Sequence, residues 1–112
     1  MNKDEAIQLV RKYRSMYSKA YIFGSVARGD EDEYSDLDII MVRETELTFP
    51  ERAKEFLSLL KEAGGADLLI YTPEEFRRQL ERNGFVAQAV KEAVEIEGEF
   101  KRSTQMVETS RK

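Results

Sequence analysis

The chain contains no cysteine and no histidine, and only two prolines. Without cysteine there are no disulfides and no thiol chemistry. Without either residue, the usual zinc sites and histidine acid–base catalysis are excluded as well. Any catalysis has to use carboxylates, hydroxyls, lysine, arginine or a bound metal. Excess positive charge is also missing: 18 Lys and Arg stand against 22 Asp and Glu, a net charge of −4. The global basic footprint of a nucleic-acid binder is therefore absent. No run is long and apolar enough for a membrane span or a signal peptide. The default expectation is a cytoplasmic protein with no direct nucleic-acid partner and no membrane partner. What remains is 112 residues, 41% hydrophobic and 36% charged, which suits one compact domain with one core.

The chain is organised around residues 21–41, YIFGSVARGDEDEYSDLDIIM. A short apolar run leads into Gly24-Ser25, an acidic connector follows, and a second apolar run opens with Asp36 and Asp38. The pattern is G-S-x10-D-x-D. In a strand, residues i and i+2 share a face, so Asp36 and Asp38 project side by side while Leu37 turns to the core. Two carboxylates so close resist joint ionisation. A divalent cation between them reverses that penalty, and oxygen-only ligands suit Mg²⁺ or Mn²⁺. Gly24 permits a tight turn and close backbone approach. Ser25 opens a one-turn helix whose free N–H groups and hydroxyl suit phosphate oxygens. Taken alone, Gly-Ser is an ordinary turn; the carboxylates at this distance make it half of a nucleoside triphosphate site.

These residues, in the stretch GSVARGDEDEYSDLDII, resemble the signature of the DNA polymerase beta-like nucleotidyltransferase superfamily. The short length is similar to its minimal nucleotidyltransferases, which act as antitoxins beside a HEPN-domain partner. The resemblance runs from the first helix to about Gly98. It implies two Mg²⁺ ions (or Mn²⁺) held by Asp36, Asp38 and a third carboxylate, for which Asp67 is the matching position. Asp67 then also serves as base toward the attacking hydroxyl. Gly24 and Ser25 hold the β- and γ-phosphates. Arg28 has two readings: it reaches the triphosphate, or it pairs with Asp30, Asp36 or Asp38 and holds the loop.

The remaining sequence supports an α/β (α+β) domain, residues 1–98, in the order αβαβαβαα, with a small three-stranded mixed sheet packed by helices. An apolar stripe at three- and four-residue steps predicts a helix over 3–18, capped by Asn2 or Asp4. Residues 19–23 read as a strand buried on both faces. Gly29 ends the short helix in a left-handed conformation. Residues 30–33 form an acidic, solvated connector, and Ser35 braces the turn into a strand over 36–42. Pro50 starts a helix that runs to Ala63, where Gly64 and Gly65 stop it. Residues 66–71 are the third strand. Strands two and three with the intervening helix form a βαβ unit, so they are parallel. All three aspartates then lie at one sheet end, and the first strand must run antiparallel to bring Ser25 there. Thr72-Pro73-Glu74-Glu75 is a capping box with a first-turn proline. A last helix is predicted over 85–97, with Phe85 or Val86 starting its apolar face. Residues 99–112 are a polar tail, either frayed or ordered on a partner.

The functional expectation is transfer of a nucleoside monophosphate, AMP from ATP, to a hydroxyl. By resemblance the acceptor is a tyrosine of a HEPN toxin partner. The alternative is a catalytically silent antitoxin that neutralises its partner by direct contact. The full set of three carboxylates favours the enzyme. A small-molecule nucleotidyltransferase needs a second domain for its acceptor, and only about 40 residues follow the third strand. The acceptor site must be completed by another chain, either a second copy in a homodimer or a different protein.

Overall fold

The computed structural model describes residues 1–30 and 36–100. The predicted acidic run beyond Asp30, Ser35 and most of the predicted tail lie outside the described residues. The elements are α1 (Lys3–Lys12), a 3₁₀ turn (Arg14–Met16), β1 (Lys19–Phe23), α2 (Gly24–Arg28), β2 (Leu37–Val42), a 3₁₀ helix (Phe49–Phe56), α3 (Leu57–Ala63), β3 (Ala66–Tyr71), α4 (Pro73–Glu81), α5 (Phe85–Glu92) and β4 (Val94–Glu97).

The sheet has four strands in the order β3-β2-β1-β4, not the three expected. The extra strand comes from the end of the predicted last helix. Helix α5 stops at Glu92, and Val94–Glu97 pairs antiparallel with β1. The sequence V-E-I-E alternates with a period of two, and Ile96 is buried between two exposed glutamates, as a half-buried strand requires. The first helix is also shorter than predicted. It ends at Lys12, and the chain is extended by Tyr17, which sits fully buried and donates its hydroxyl hydrogen to the Val10 carbonyl at 2.7 Å. The helix predicted from Pro50 begins as a 3₁₀ helix and becomes α-helical only at Leu57.

Elsewhere the local signals hold. Asn2 caps α1 in a full capping box with Glu5. Thr72 and Glu75 form the box that starts α4. Gly29 ends α2 at φ 82°. β1 is antiparallel to β2, and β2 is parallel to β3. The two sheet faces bury separate clusters. Val10, Ile22, Ile39, Phe56 and Leu59 belong to the cluster on the α1 and α3 face. Tyr21, Phe23, Ile40, Phe76 and Val86 form the core of the α4 and α5 face. The chain after β4 is pinned: Gly98, Glu99 and Phe100 donate backbone hydrogen bonds to Ser18, Arg14 and Tyr17. The Arg43 guanidinium lies 4.6 Å from the Phe100 ring centre. Among the described residues, no helix is long and apolar enough to cross a membrane.

Candidate active site

The mixed strand directions decide what meets at one end of the sheet. β1 ends at Phe23, while β2 and β3 begin nearby. The register sets Phe23 opposite Asp38, and Asp38 opposite Asp67. Register partners share a face, so both aspartates project from the α4 and α5 side. Asp36 lies one residue before β2, beside Gly65. A Cβ added to Gly65 would stand 3.4 Å from the Asp36 Oδ1.

Gly24 is required twice. Its φ of 80° lies in the left-handed region, and an added Cβ would stand 2.3 Å from the Asp38 Oδ2. The Asp38 carboxylate thus packs against the turn that opens α2, with Ser25 next in the chain. The Asp38 carboxyl titrates above its ordinary value. Burial is the main cause, followed by the Asp67 charge, a hydrogen bond between the two carboxyls and the charge of Asp36; Arg28 pulls the other way. Of the two readings of Arg28, the geometry contains the ion pairs: 3.4 Å to Asp30 and 3.3 Å to Glu92 on α5. The guanidinium is half exposed.

Asp38 and Asp67 line one open cleft of about 620 Å³ with Phe23, Leu69 and Phe85 among its walls. The structure brings Gly24, Asp38 and Asp67 together and leaves Asp36 beside the pair. Among the described residues, no three carboxylates converge as a metal cage. The pair Asp38–Asp67 nevertheless suits a hard divalent cation. Its donors are all oxygen, and the mutual repulsion of the two carboxylates is what a bound cation would relieve. Phe23, Leu69 and Phe85, and Glu92 as a partner of Arg28, were not singled out from the sequence. Phe85 carried a signal there: it competed with Val86 for the buried face of α5.

A mixed sheet thus carries aspartates on adjacent strands, beside a Gly-Ser turn. Residues 5–96 match the sequence profile described as Polymerase beta, Nucleotidyltransferase, and the chain belongs to that family. A candidate protein adenylyltransferase of Methanocaldococcus jannaschii is 41% identical over 54 residues, covering 44% of this chain and 54% of that protein. The chain thus spans about half the length of the curated relative it matches. The fold is similar to that of a candidate nucleotidyltransferase from Sulfolobus solfataricus, with a TM-score of 0.53 and 24% identity over 82% of this chain and 79% of that one. It is also similar to a variant structure of the toxin–antitoxin MntA–HpeT, with a TM-score of 0.53 and 17% identity over 96% of this chain and 80% of that one.

Proposed function

We propose that the domain transfers AMP from ATP to a hydroxyl of a partner protein, and that the partner is a HEPN-domain toxin modified on a tyrosine. The observation that carries this reading is the pairing of Asp38 with Asp67 across β2 and β3, against the Gly24 turn. The relative named for protein adenylyl transfer and the toxin–antitoxin fold neighbour support the choice of a protein acceptor.

In this reading the Asp38–Asp67 pair, with Asp36 beside it, would hold Mg²⁺, two ions in all, with Mn²⁺ as a substitute. The bound ions supply neutralisation of triphosphate charge and a lowered pKa for the acceptor hydroxyl. Gly24 and Ser25 receive the β- and γ-phosphates through the turn, and Arg28 leaves its carboxylate partners to meet them. Asp67 accepts the hydroxyl proton. The hydroxyl oxygen bonds to the α-phosphorus, the bond from that phosphorus to the bridging oxygen breaks, and pyrophosphate leaves. The chain's own part is positioning and electrostatics.

The test is transfer from ATP labelled at the α-phosphate, with Mg²⁺, onto the product of the neighbouring gene. The Asp36→Asn/Asp38→Asn double variant is the control. Label on the partner that depends on both carboxylates supports the reading, and mass spectrometry then locates the acceptor. A stable complex with no label from any nucleoside triphosphate replaces it with the silent binding module.

A further inference from the structure

Phe85 opens α5 with 61% of its surface exposed, while Val86, one position on, is 2% exposed. A helix can bury only one phase of its stripe, and here Val86 and Ala89 take the buried face. Phe85 is left over from that choice, and leaving a phenyl ring in water forgoes its burial energy. Single exposed apolar side chains are ordinary, but this one stands in a particular place. Among the described residues, the other exposed large apolar side chains (Met1, Phe49, Leu57 and Leu80) do not line the cleft that holds Asp38 and Asp67; Phe85 does.

Its ring is also braced. It meets the Phe23 ring at 5.7 Å between centres and an interplanar angle of 76°. Such an edge contact occupies one part of the ring and leaves the rest open. Leu69, two residues after Asp67, shares the sheet face of the carboxylates and lines the same cleft. Apart from Asp38 and Asp67, every side chain lining that cleft is apolar. A triphosphate held at the carboxylates carries its base away from them, toward such a wall.

We infer that Phe85 is the stacking platform for the nucleobase, and that this wall selects by ring area and not by hydrogen-bond pattern. Every base has a π-face, so stacking tolerates base identity. The site therefore takes purine nucleoside triphosphates with little discrimination between adenine and guanine, and takes pyrimidines more weakly. This inference rests on the nucleotidyl-transfer reading above.

The test measures equilibrium binding of ATP, GTP, CTP and inorganic tripolyphosphate, each with Mg²⁺, to the 112-residue chain. Phe85→Ala is expected to weaken ATP and GTP by about tenfold and to leave tripolyphosphate, which has no base, unchanged. Phe85→Leu should weaken them equally, because it keeps the apolar bulk and loses the π-face. The chain has no tryptophan, so Phe85→Trp introduces a single tryptophan that can be excited apart from the five tyrosines; ATP should quench its emission and tripolyphosphate should not. ATP binding that is equal in Phe85→Ala and wild type, or full affinity in Phe85→Leu, overturns the platform and leaves nucleotidyl transfer standing. ATP bound at least tenfold tighter than GTP overturns selection by ring area. Wild-type protein that binds no nucleotide overturns both.

Discussion

At the start of β3, Asp67 faces Asp38 across the strand pairing, and burial together with the like charge of Asp67 pushes the Asp38 carboxyl above its ordinary value. At the other end, Arg52 on the 3₁₀ helix reaches over the edge of the same strand. It donates to the Ile70 carbonyl at 3.0 Å and to the Leu47 carbonyl at 3.0 Å, and it grips both Glu75 oxygens at 2.7 and 3.2 Å. The Arg52 side chain is 8% exposed, yet each of these contacts answers its charge. Glu75 also accepts from the Thr72 backbone at 3.0 Å and so completes the capping box of α4. One end of the strand holds charges that repel; the other holds charges that satisfy each other. Burial of charge stabilises only where partners are supplied. The unsatisfied end is therefore where a ligand's binding energy has something to relieve, and the satisfied end is where the fold is tied.

The largest effect is expected at the carboxylates. Asp38→Asn should cut nucleotidyl transfer by about 10³-fold while circular dichroism shows the fold retained. Transfer within tenfold of wild type would deny the like-charged end its role. The next largest effect belongs to the other end. Arg52→Ala should lower unfolding free energy by about 3 kcal/mol in urea titrations, because it strips Glu75 and two carbonyls of their donor. A loss below about 1 kcal/mol would mean the knot is ornamental.

Glu75→Gln sharpens the contrast by keeping the cap and removing the charge. It should cost about 1–2 kcal/mol at neutral pH, reduced because Glu75 is 37% exposed. The Glu75 carboxyl titrates below its ordinary value, chiefly through the Arg52 hydrogen bond. Its contribution is present above that ordinary value and lost as pH falls through the lowered one. The variant and wild type should therefore converge in stability on acidification.

Asp38 has the opposite sign. Its raised value means a contribution present below the ordinary carboxylate value and lost as pH rises through the folded one. Asp38→Asn should accordingly raise the melting temperature slightly at pH 7 without divalent cations. The gain should be well under about 1 kcal/mol after solvent screening, and it should shrink as the pH is lowered. A destabilised variant at neutral pH would remove the strain from the Asp38–Asp67 pair.

These two ends were not equally legible in the sequence. The carboxylate end follows from local rules. Gly24 and Gly29 mark the turn and the stop of α2, Leu37 between Asp36 and Asp38 sets the faces, and a helix of the right length between two strands makes them parallel. Asp67 then falls opposite Asp38 by topology alone. Arg52 gave no such signal, since an arginine in an amphipathic segment reads as solvated until Glu75 is known to arrive from 23 residues later. The fourth strand was missed for a related reason. V-E-I-E is four residues long and follows a helical stripe without a break. What makes it a strand is pairing with β1, including the Lys19–Glu95 ion pair at 2.9 Å, and that information lies outside the segment. The helical phase of α5 was ambiguous between Phe85 and Val86, and only the shape of the α4 and α5 face resolved it.

The pairing of β4 with β1 also sets the order of events when the chain folds. Lys19 meets Glu97 and Ile22 meets Val94, a loop closure of about 75 residues, with its entropic cost due before the contact returns anything. Until Val94–Glu97 arrive, β1 is an open edge carrying Tyr21 and Ile22, and a nascent or truncated chain displays it to any other strand. Seen this way, β4 is less a fourth member of the sheet than its seal, and chains cut before Val94 should be recovered as aggregates more readily than as small folded domains.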